Sequence, residues 1–151
     1  MAKRTFEEEI QQNGRLVYTN VGISMLPLIR QHRDLVIVEK PKGRCKKYDV
    51  ALYKKNGRYI LHRVLEVRAD DYVIRGDNCL RKEYGITDRQ VIGVLSAVVR
   101  DGKTIPVGDW KYQVYSRLWH RIFWIRLAVY CLRAVPSWLG RKLKGRLSDR
   151  G

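Results

Sequence analysis

The sequence predicts a mainly β protein with antiparallel hairpins, a short N-terminal helix and a basic, aromatic C-terminal helix. Between Arg15 and Val99, short runs rich in β-branched and aromatic residues alternate with turn residues, a pattern typical of strands. The chain has 151 residues, of which 45% are hydrophobic and 30% charged. This is the size and composition of one ordinary globular domain rather than of a disordered chain.

The first predicted segment, residues 1–14, is a short helix. Thr5 is followed three residues later by Glu8, which is the spacing of a capping box, and Gly14 is a typical helix stop. These signals predict a helix over Phe6–Asn13. The charged N-terminus has no apolar run of signal-peptide length, so we expect neither a cleavable signal nor an N-terminal membrane anchor.

Residues 15–108 are predicted to form a β domain. Asn56-Gly57 has the two residue types that readily adopt positive φ angles in a tight hairpin turn, and Asp101-Gly102 repeats this signal. Much of the pairing is therefore expected to be antiparallel. The predicted strands are Arg15–Thr19, Leu35–Glu39, Asp49–Lys54, Arg58–Val67, Tyr72–Arg75 and Val91–Val99.

Residues 109–151 differ in composition from the β domain. All four Trp residues lie there, and from Arg117 onward the chain has nine Lys and Arg residues but one acid, Asp149. We predict one helix that is broken near Pro136 and followed by a basic tail. No stretch reaches the ~18 uncharged apolar residues of a membrane-spanning helix, so we expect none.

The charge of the chain favours a polyanionic partner. Lys and Arg number 31 against 15 acids, a net charge of +16. For residues 109–151 we consider an interfacial membrane helix, a helix packed on the β domain or a partner protein, and a nucleic-acid surface. Trp prefers the lipid headgroup level and Arg extends its charge to water, so an anionic membrane surface is favoured. Nucleic acid is the least favoured partner, because no nucleic-acid motif accompanies the charge.

The stretch Gly22-Ile23-Ser24-Met25-Leu26-Pro27 carries the clearest chemical signal. Glycine permits an unusual backbone turn or the close approach of another chain, and Pro27 fixes the chain after the serine. The pattern predicts a rigid turn that presents the Ser24 hydroxyl. A serine hydroxyl becomes a good nucleophile only when a neighbouring base takes its proton.

Two histidines before the C-terminal region are candidates for that base. His62 lies inside a strong strand pattern, whereas His32 lies in a polar loop, where a solvated surface histidine is the simpler interpretation. Asp77 follows Gly76 in a turn. It is either an ordinary turn residue with an Asx hydrogen bond or a carboxylate that orients a protonated imidazole.

Together, in this order, these motifs resemble the type I signal peptidases and their relatives, serine endopeptidases that include the self-cleaving repressors. The family's Gly-x-Ser-Met-x-Pro box is matched at Gly22, Ser24, Met25 and Pro27. Its other boxes are matched by Tyr48-Asp49-Val50, His62-Arg63-Val64 and Gly76-Asp77-Asn78. The resemblance covers Val17 to about Val99. A histidine at position 62, where many bacterial members have lysine, is similar to the endoplasmic-reticulum and archaeal branch.

The resemblance implies a signal-peptidase-like β fold and a serine endopeptidase that cleaves an extended peptide after small residues. Ser24 would be the nucleophile, His62 the base and Asp77 the acid that orients it. No metal or other cofactor is implied. The residues that would contact a signal or leader peptide, or another protein substrate, are Gly22, Ile23, Met25, Pro27 and Leu61.

The sequence also departs from the family pattern. The family's Gly-Asp pair after the serine box appears here as Arg33-Asp34. The endoplasmic-reticulum branch has a second Asp shortly after Gly-Asp-Asn, and the nearby acids here are Glu83 and Asp88. The third catalytic residue is therefore Asp77 or another acid.

Three functions remain open from the sequence. The leading hypothesis is a serine endopeptidase, peripheral at a membrane or cytoplasmic. The second is an inactive peptidase-fold module that docks on membrane or nucleic acid through its basic C-terminal region. The third is a cytoplasmic protease that processes a dedicated peptide or itself. The odd, scattered set Cys45, Cys79 and Cys131 is read as ordinary thiols, neither a disulfide framework nor a zinc site.

Overall fold

The computed structural model describes residues 4–134 and confirms a mainly β fold. Eight strands form one antiparallel sheet, with one helix before it and two after it. The elements are α1 (Phe6–Asn13), β1 (Arg15–Thr19), β2 (Leu35–Glu39), β3 (Val50–Lys55), β4 (Arg58–Val67), β5 (Tyr72–Arg75), β6 (Glu83–Ile86), a 3₁₀ turn (Asp88–Gln90), β7 (Val91–Arg100), β8 (Lys103–Pro106), α2 (Trp110–Arg121) and α3 (Phe123–Ala134).

Helix α1 has the predicted bounds and caps. The Thr5 hydroxyl accepts a hydrogen bond from the Glu8 backbone, and the Glu8 carboxylate accepts one from the Thr5 backbone. Gly14 ends the helix with a positive φ angle of 72°, a conformation that glycine adopts without steric cost. Ile10 is the buried residue that packs this helix on the core.

The sheet order is β1-β2-β7-β3-β4-β5-β6, and β8 also pairs with β7. The long strand β7 is central because β2, β3 and β8 all pair with it. The predicted hairpins are present: Asn56 and Gly57 both have positive φ angles between β3 and β4, as do Asp101 and Gly102 between β7 and β8.

The two faces of the sheet bury separate apolar clusters. One cluster contains Met25, Leu52, Leu61 and Tyr112, and the other contains Ala51, Tyr53, Val64 and Ile74. Residues 51 and 53 alternate with residue 52 along β3, so one strand supplies both clusters. Strand β4 alternates in the same way, so Leu61 lies in the first cluster and Val64 in the second.

All six predicted strands are confirmed to within one residue at either end. Two short strands, β6 and β8, were not predicted. β6 contains Gly85 with a φ angle of 72° and has two exposed residues among its four, so it lacks the alternation that identifies a strand. β8 contains Pro106, a residue that disfavours a strand prediction.

The prediction of a single C-terminal helix is wrong, because two helices, α2 and α3, lie on either side of Ile122. The predicted break at Pro136 lies outside the described residues. The chain divides into two compact units between Arg117 and Leu118. In the second unit the Arg126 guanidinium lies 3.7 Å from the centre of the Trp119 ring.

Among residues 4–134, no helix is long and apolar enough to cross a membrane.

The packing of β7 on β2 depends on Gly93. A Cβ atom added there would lie 2.4 Å from Val38 Cγ1 and 3.0 Å from the Glu39 carbonyl oxygen. We expect Gly93→Ala to lower the free energy of unfolding by about 1–3 kcal/mol, because the neighbours must shift. Gly108→Ala is the matched control, since an added Cβ there meets nothing within 4 Å. Urea denaturation measures both, and equal midpoints would contradict the prediction.

Candidate active site

Ser24 lies in a compact series of turns between β1 and β2. The Ile29 backbone N–H donates to the Met25 carbonyl over 2.9 Å, and Leu26 donates to Ile23 over 3.2 Å. Met25 and Ile29 are fully buried. Ser24, which follows the exposed Ile23 and precedes the buried Met25, is half-buried. The buried side chains fix the turn to the core and leave the serine at its surface.

A partly buried ion pair holds the far end of this turn. Asp34 is buried, accepts from the Arg30 backbone over 2.9 Å and from Arg100 Nε over 3.0 Å. Arg100 also donates to the Leu28 carbonyl over 2.8 Å. Burial alone would raise the pKa of the Asp34 carboxyl, but these bonds outweigh it and keep that pKa below its usual value. Asp34 thus anchors the serine segment.

His62 lies in the middle of β4, opposite Ala51 of β3. Its side chain is 12% exposed. Its Nδ1 atom lies 3.0 Å from Glu83 Oε1 and 3.3 Å from the Tyr53 hydroxyl. The strand therefore holds the imidazole rigidly between two oxygen atoms.

The hydrogen bonds around Glu83 determine which nitrogen of His62 carries the proton. Tyr53 donates its single hydroxyl proton to Glu83 Oε1 over 2.7 Å, and Lys55 donates to Oε2 over 2.9 Å. Both oxygen atoms near Nδ1 are thus acceptors toward the imidazole. The proton of the neutral ring belongs on Nδ1, which leaves the lone pair on Nε2.

The Nε2 side of His62 meets the serine segment at Gly76. A Cβ atom added to Gly76 would lie 2.6 Å from the Ser24 carbonyl oxygen, 3.0 Å from His62 Nε2 and 2.8 Å from Cys79 Sγ. Every other residue type would collide with these groups. Glycine at position 76 therefore lets the base and the serine segment come together.

Asn78 ties the same loop directly to the serine turn. Its backbone N–H donates to the Ser24 carbonyl over 2.8 Å, and its side-chain Nδ2 donates to the Ile23 carbonyl over 3.2 Å. The described part of the chain contains no hydrogen bond between the Ser24 hydroxyl and His62. Such bonds are often long or open in the absence of substrate and tighten when it binds.

The pKa of His62 favours the neutral base. Burial lowers the pKa of the imidazole below 6.5, and the charge of Glu83 only partly opposes this. Burial would raise the pKa of the Glu83 carboxyl, but the bonds from Lys55 and Tyr53 outweigh it and keep that pKa below its usual value. At neutral pH the pair is a neutral imidazole beside a carboxylate.

The prediction that Asp77 orients His62 is corrected by the structure. Arg63 binds both carboxylate oxygens of Asp77, with Nε and Nη2 each 2.8 Å away, and both side chains are fully buried. The acid that reaches Nδ1 is Glu83. The sequence named Glu83 as an open alternative, and the missed strand β6 is the element that carries it to His62.

The predicted substrate contacts divide into two groups. Ile23 is 56% exposed and Pro27 is exposed, while Gly22 is partly exposed with a φ angle of 116°. Met25 and Leu61 are corrected, because their side chains are buried in the core and cannot face a substrate.

Neither the acid side chains nor the cysteines of residues 4–134 build a metal site. No group of three or more His, Cys, Asp or Glu residues in this range is placed to hold a metal ion. Burial raises the pKa of the Cys79 thiol and raises that of Cys45 to about 11, so both are poor nucleophiles at neutral pH. Asp88, the other acid considered from the sequence, pairs with Arg44 and Tyr72.

Comparison with known protein families finds no family model that matches the chain. Searches of curated proteins and of solved structures find no match either.

Proposed function

We propose that the chain is a serine endopeptidase in which Ser24 is the nucleophile, His62 the general base and Glu83 the acid that orients His62. The observation that carries this proposal is the convergence at Gly76, where His62 Nε2 and the Ser24 segment approach the same point. The 3.0 Å contact between Nδ1 and Glu83 supplies the third member. Nucleophile, base and orienting acid are the parts that covalent peptide hydrolysis needs.

The proposed reaction proceeds in two stages, formation of an ester on Ser24 and hydrolysis of that ester. The Ser24 oxygen bonds to the peptide carbonyl carbon while its proton moves to His62 Nε2, and Glu83 stabilises the imidazolium through Nδ1–H. Nε2 then returns the proton to the leaving amine as the carbon–nitrogen bond breaks. Water hydrolyses the resulting ester with the same groups, which frees Ser24 and releases the acid product.

The oxyanion of the tetrahedral intermediate needs donors close to Ser24. Within residues 4–134, the Ser24 backbone N–H makes no hydrogen bond, and we assign it this role. A donor of this type is worth ~3–4 kcal/mol in a water-excluded site. Gly22 offers no side-chain donor, so any further hydrogen bond to the oxyanion has to come from another backbone N–H group near Ser24.

The substrate class follows from the resemblance and from the exposed side of the turn. We propose an extended segment, such as a signal or leader peptide, with small side chains at the first and third positions before the cut. Gly22, Ile23 and Pro27 are accessible to such a segment. An extended peptide can add to the sheet as a strand, which is a common recognition mode.

Cleavage of a peptide library tests the assignment of Ser24 and His62. The library contains apolar runs followed by Ala-x-Ala sites, it is incubated with anionic vesicles present, and products are read by mass spectrometry. We expect cleavage by the wild type and by His32→Ala, the matched control in an exposed loop. Ser24→Ala and His62→Ala should each lose activity by at least ~10²-fold.

The outcomes of that experiment separate the competing functions. Cleavage retained by Ser24→Ala contradicts the proposed nucleophile. Cleavage by no form of the protein, with the variants folded as judged by circular dichroism, contradicts this substrate class and favours an inactive binding module. A cut within the chain itself, lost in Ser24→Ala, identifies self-processing.

The pH profile tests the role of Glu83. Activity needs neutral His62, so kcat/KM should rise with pH through the folded pKa of His62, which burial places below 6.5. Glu83→Gln removes the charge that raises this pKa, so the midpoint should move to lower pH. The plateau should fall by ~10²–10⁴-fold, because the ring loses its orienting acid.

Glu66→Gln is the matched control for that profile. Glu66 is exposed and pairs with Arg68 on the surface, so its loss should leave both midpoint and plateau unchanged. An upward shift of the midpoint in Glu83→Gln, or an unchanged plateau, would contradict the proposed role of Glu83.

We also propose an anionic membrane surface as the partner of the second unit. Helix α3 exposes large apolar side chains: Trp124 is 74% exposed, Ile125 65% and Leu132 74%. The same helix has Arg126 and Arg133 but no acid. Exposed tryptophan and leucine beside arginine suit the boundary between lipid headgroups and acyl chains.

Vesicle sedimentation tests this partner. The double variant Trp124→Ser/Leu132→Ser should bind anionic vesicles at least tenfold more weakly than the wild type, since burial of each side chain is worth about 1.5–3 kcal/mol. Cys131→Ser, at an exposed position of the same helix, is the matched control. Equal binding by all three proteins would contradict docking through α3.

A further inference from the structure

A buried hydrogen-bond network joins helix α2 to the centre of the sheet. Arg63 Nη1 donates to the Ser116 hydroxyl over 2.9 Å and to the Tyr112 hydroxyl over 3.4 Å. The same nitrogen donates to the Tyr48 carbonyl over 2.9 Å. Because Arg63 is wholly buried, no water is available to replace an acceptor that is lost.

The other side of Arg63 holds the loop that borders the candidate active site. Its two bonds to Asp77 fix the residue between Gly76 and Asn78. Tyr115 of α2 adds a hydrogen bond from its hydroxyl to Asp77 Oδ2 over 3.1 Å. Helix α2 thus supplies polar partners to both members of one buried ion pair.

The loop passes this restraint on to the serine. A Cβ atom on Gly76 would lie within 3.0 Å of both the Ser24 carbonyl oxygen and His62 Nε2, and the Asn78 backbone N–H bonds to the Ser24 carbonyl. A shift of Asp77 must therefore move its two neighbours in the chain, and with them the spacing of nucleophile and base. Misplacement by about 1 Å costs on the order of 10²-fold in rate.

We propose that α2 is a positioning element for the active site, in which Tyr115 and Ser116 hold the Arg63–Asp77 pair and thereby the 76–79 loop. The catalytic consequence rests on the proposed peptidase function, whereas the restraint on the loop does not. Tyr115 and Ser116 lie directly before the division at Arg117, and α2 continues past it to Arg121. Any event that displaces α2 would then lower activity.

Site-resolved hydrogen exchange of the full chain tests the restraint without reference to catalysis. The probe is the Asn78 amide, read by NMR in the wild type and in Tyr115→Phe/Ser116→Ala. We expect exchange at Asn78 to accelerate about tenfold or more in the variant, because two hydrogen bonds to a buried ion pair are lost. Amides of β2, such as that of Ile37, should exchange as before because this strand lies outside the altered network.

Val114→Ala is the matched control, since Val114 is an exposed residue of the same helix turn. Tyr115→Phe alone is the milder variant, because it keeps the ring that lies 5.9 Å from the Arg63 guanidinium and removes only the hydroxyl. If the double variant is unfolded, Tyr115→Phe alone decides the test. Unchanged exchange at Asn78 in a folded Tyr115→Phe variant would overturn the proposal.

Peptide cleavage by the same proteins tests the catalytic consequence. We expect kcat/KM to fall about tenfold or more, with only a small shift of the pH midpoint, because the bond between Glu83 and His62 lies outside the altered network and Asp77 contributes less to the His62 pKa than Glu83 does. Faster exchange at Asn78 with unchanged kcat/KM would overturn the positioning role. If the wild type cleaves nothing, the peptidase function fails while the exchange result still decides the restraint.

Discussion

The buried pair of Arg63 and Asp77 is the interaction on which the candidate site depends. Removing two charges from water is costly, and the cost is recovered only when every donor and acceptor finds a partner. Arg63 meets this condition with bonds to Asp77, to α2 and to the Tyr48 carbonyl. The pair therefore links β4 and the 76–79 loop to Tyr115 and Ser116 of α2, and Asn78 of that loop bonds to the serine turn.

The two acids near His62 have different tasks because their surroundings differ. Asp77 is enclosed with Arg63, which binds both of its carboxylate oxygens, and its charge raises the pKa of His62 less than that of Glu83 does. Glu83 is partly exposed and shares its oxygens among Lys55, Tyr53 and His62, so its charge remains directed at the imidazole. A histidine with an unperturbed pKa of ~6.5 is already mostly neutral at pH 7, and burial lowers the pKa of His62 further.

Local signals were enough to predict α1, most strands and both hairpin turns, because caps, alternation and Asn-Gly or Asp-Gly pairs act within a few residues. The same reasoning selected Ser24 and His62 as candidates, and a Cβ atom on Gly76 would lie within 3.0 Å of both the Ser24 carbonyl oxygen and His62 Nε2. It left Glu83 as one of two open alternatives, because Glu83 reaches His62 only through β6, a short strand with exposed residues and a left-handed Gly85. It failed for Met25 and Leu61, since a motif position does not reveal on which side of a turn or sheet a side chain packs.

The basic C-terminal region divides by its packing rather than by its composition. In α2, the side chains of Tyr112 and Ser116 are buried, and their hydroxyl groups accept hydrogen bonds from Arg63. This part of the helix is therefore connected to the candidate site. In α3, the large apolar residues are exposed. A sequence pattern that groups α2 and α3 as one aromatic, basic helix predicts one role for both. The contacts show a difference: the hydroxyl groups of α2 bond to the buried Arg63–Asp77 pair, whereas the large apolar side chains of α3 are exposed.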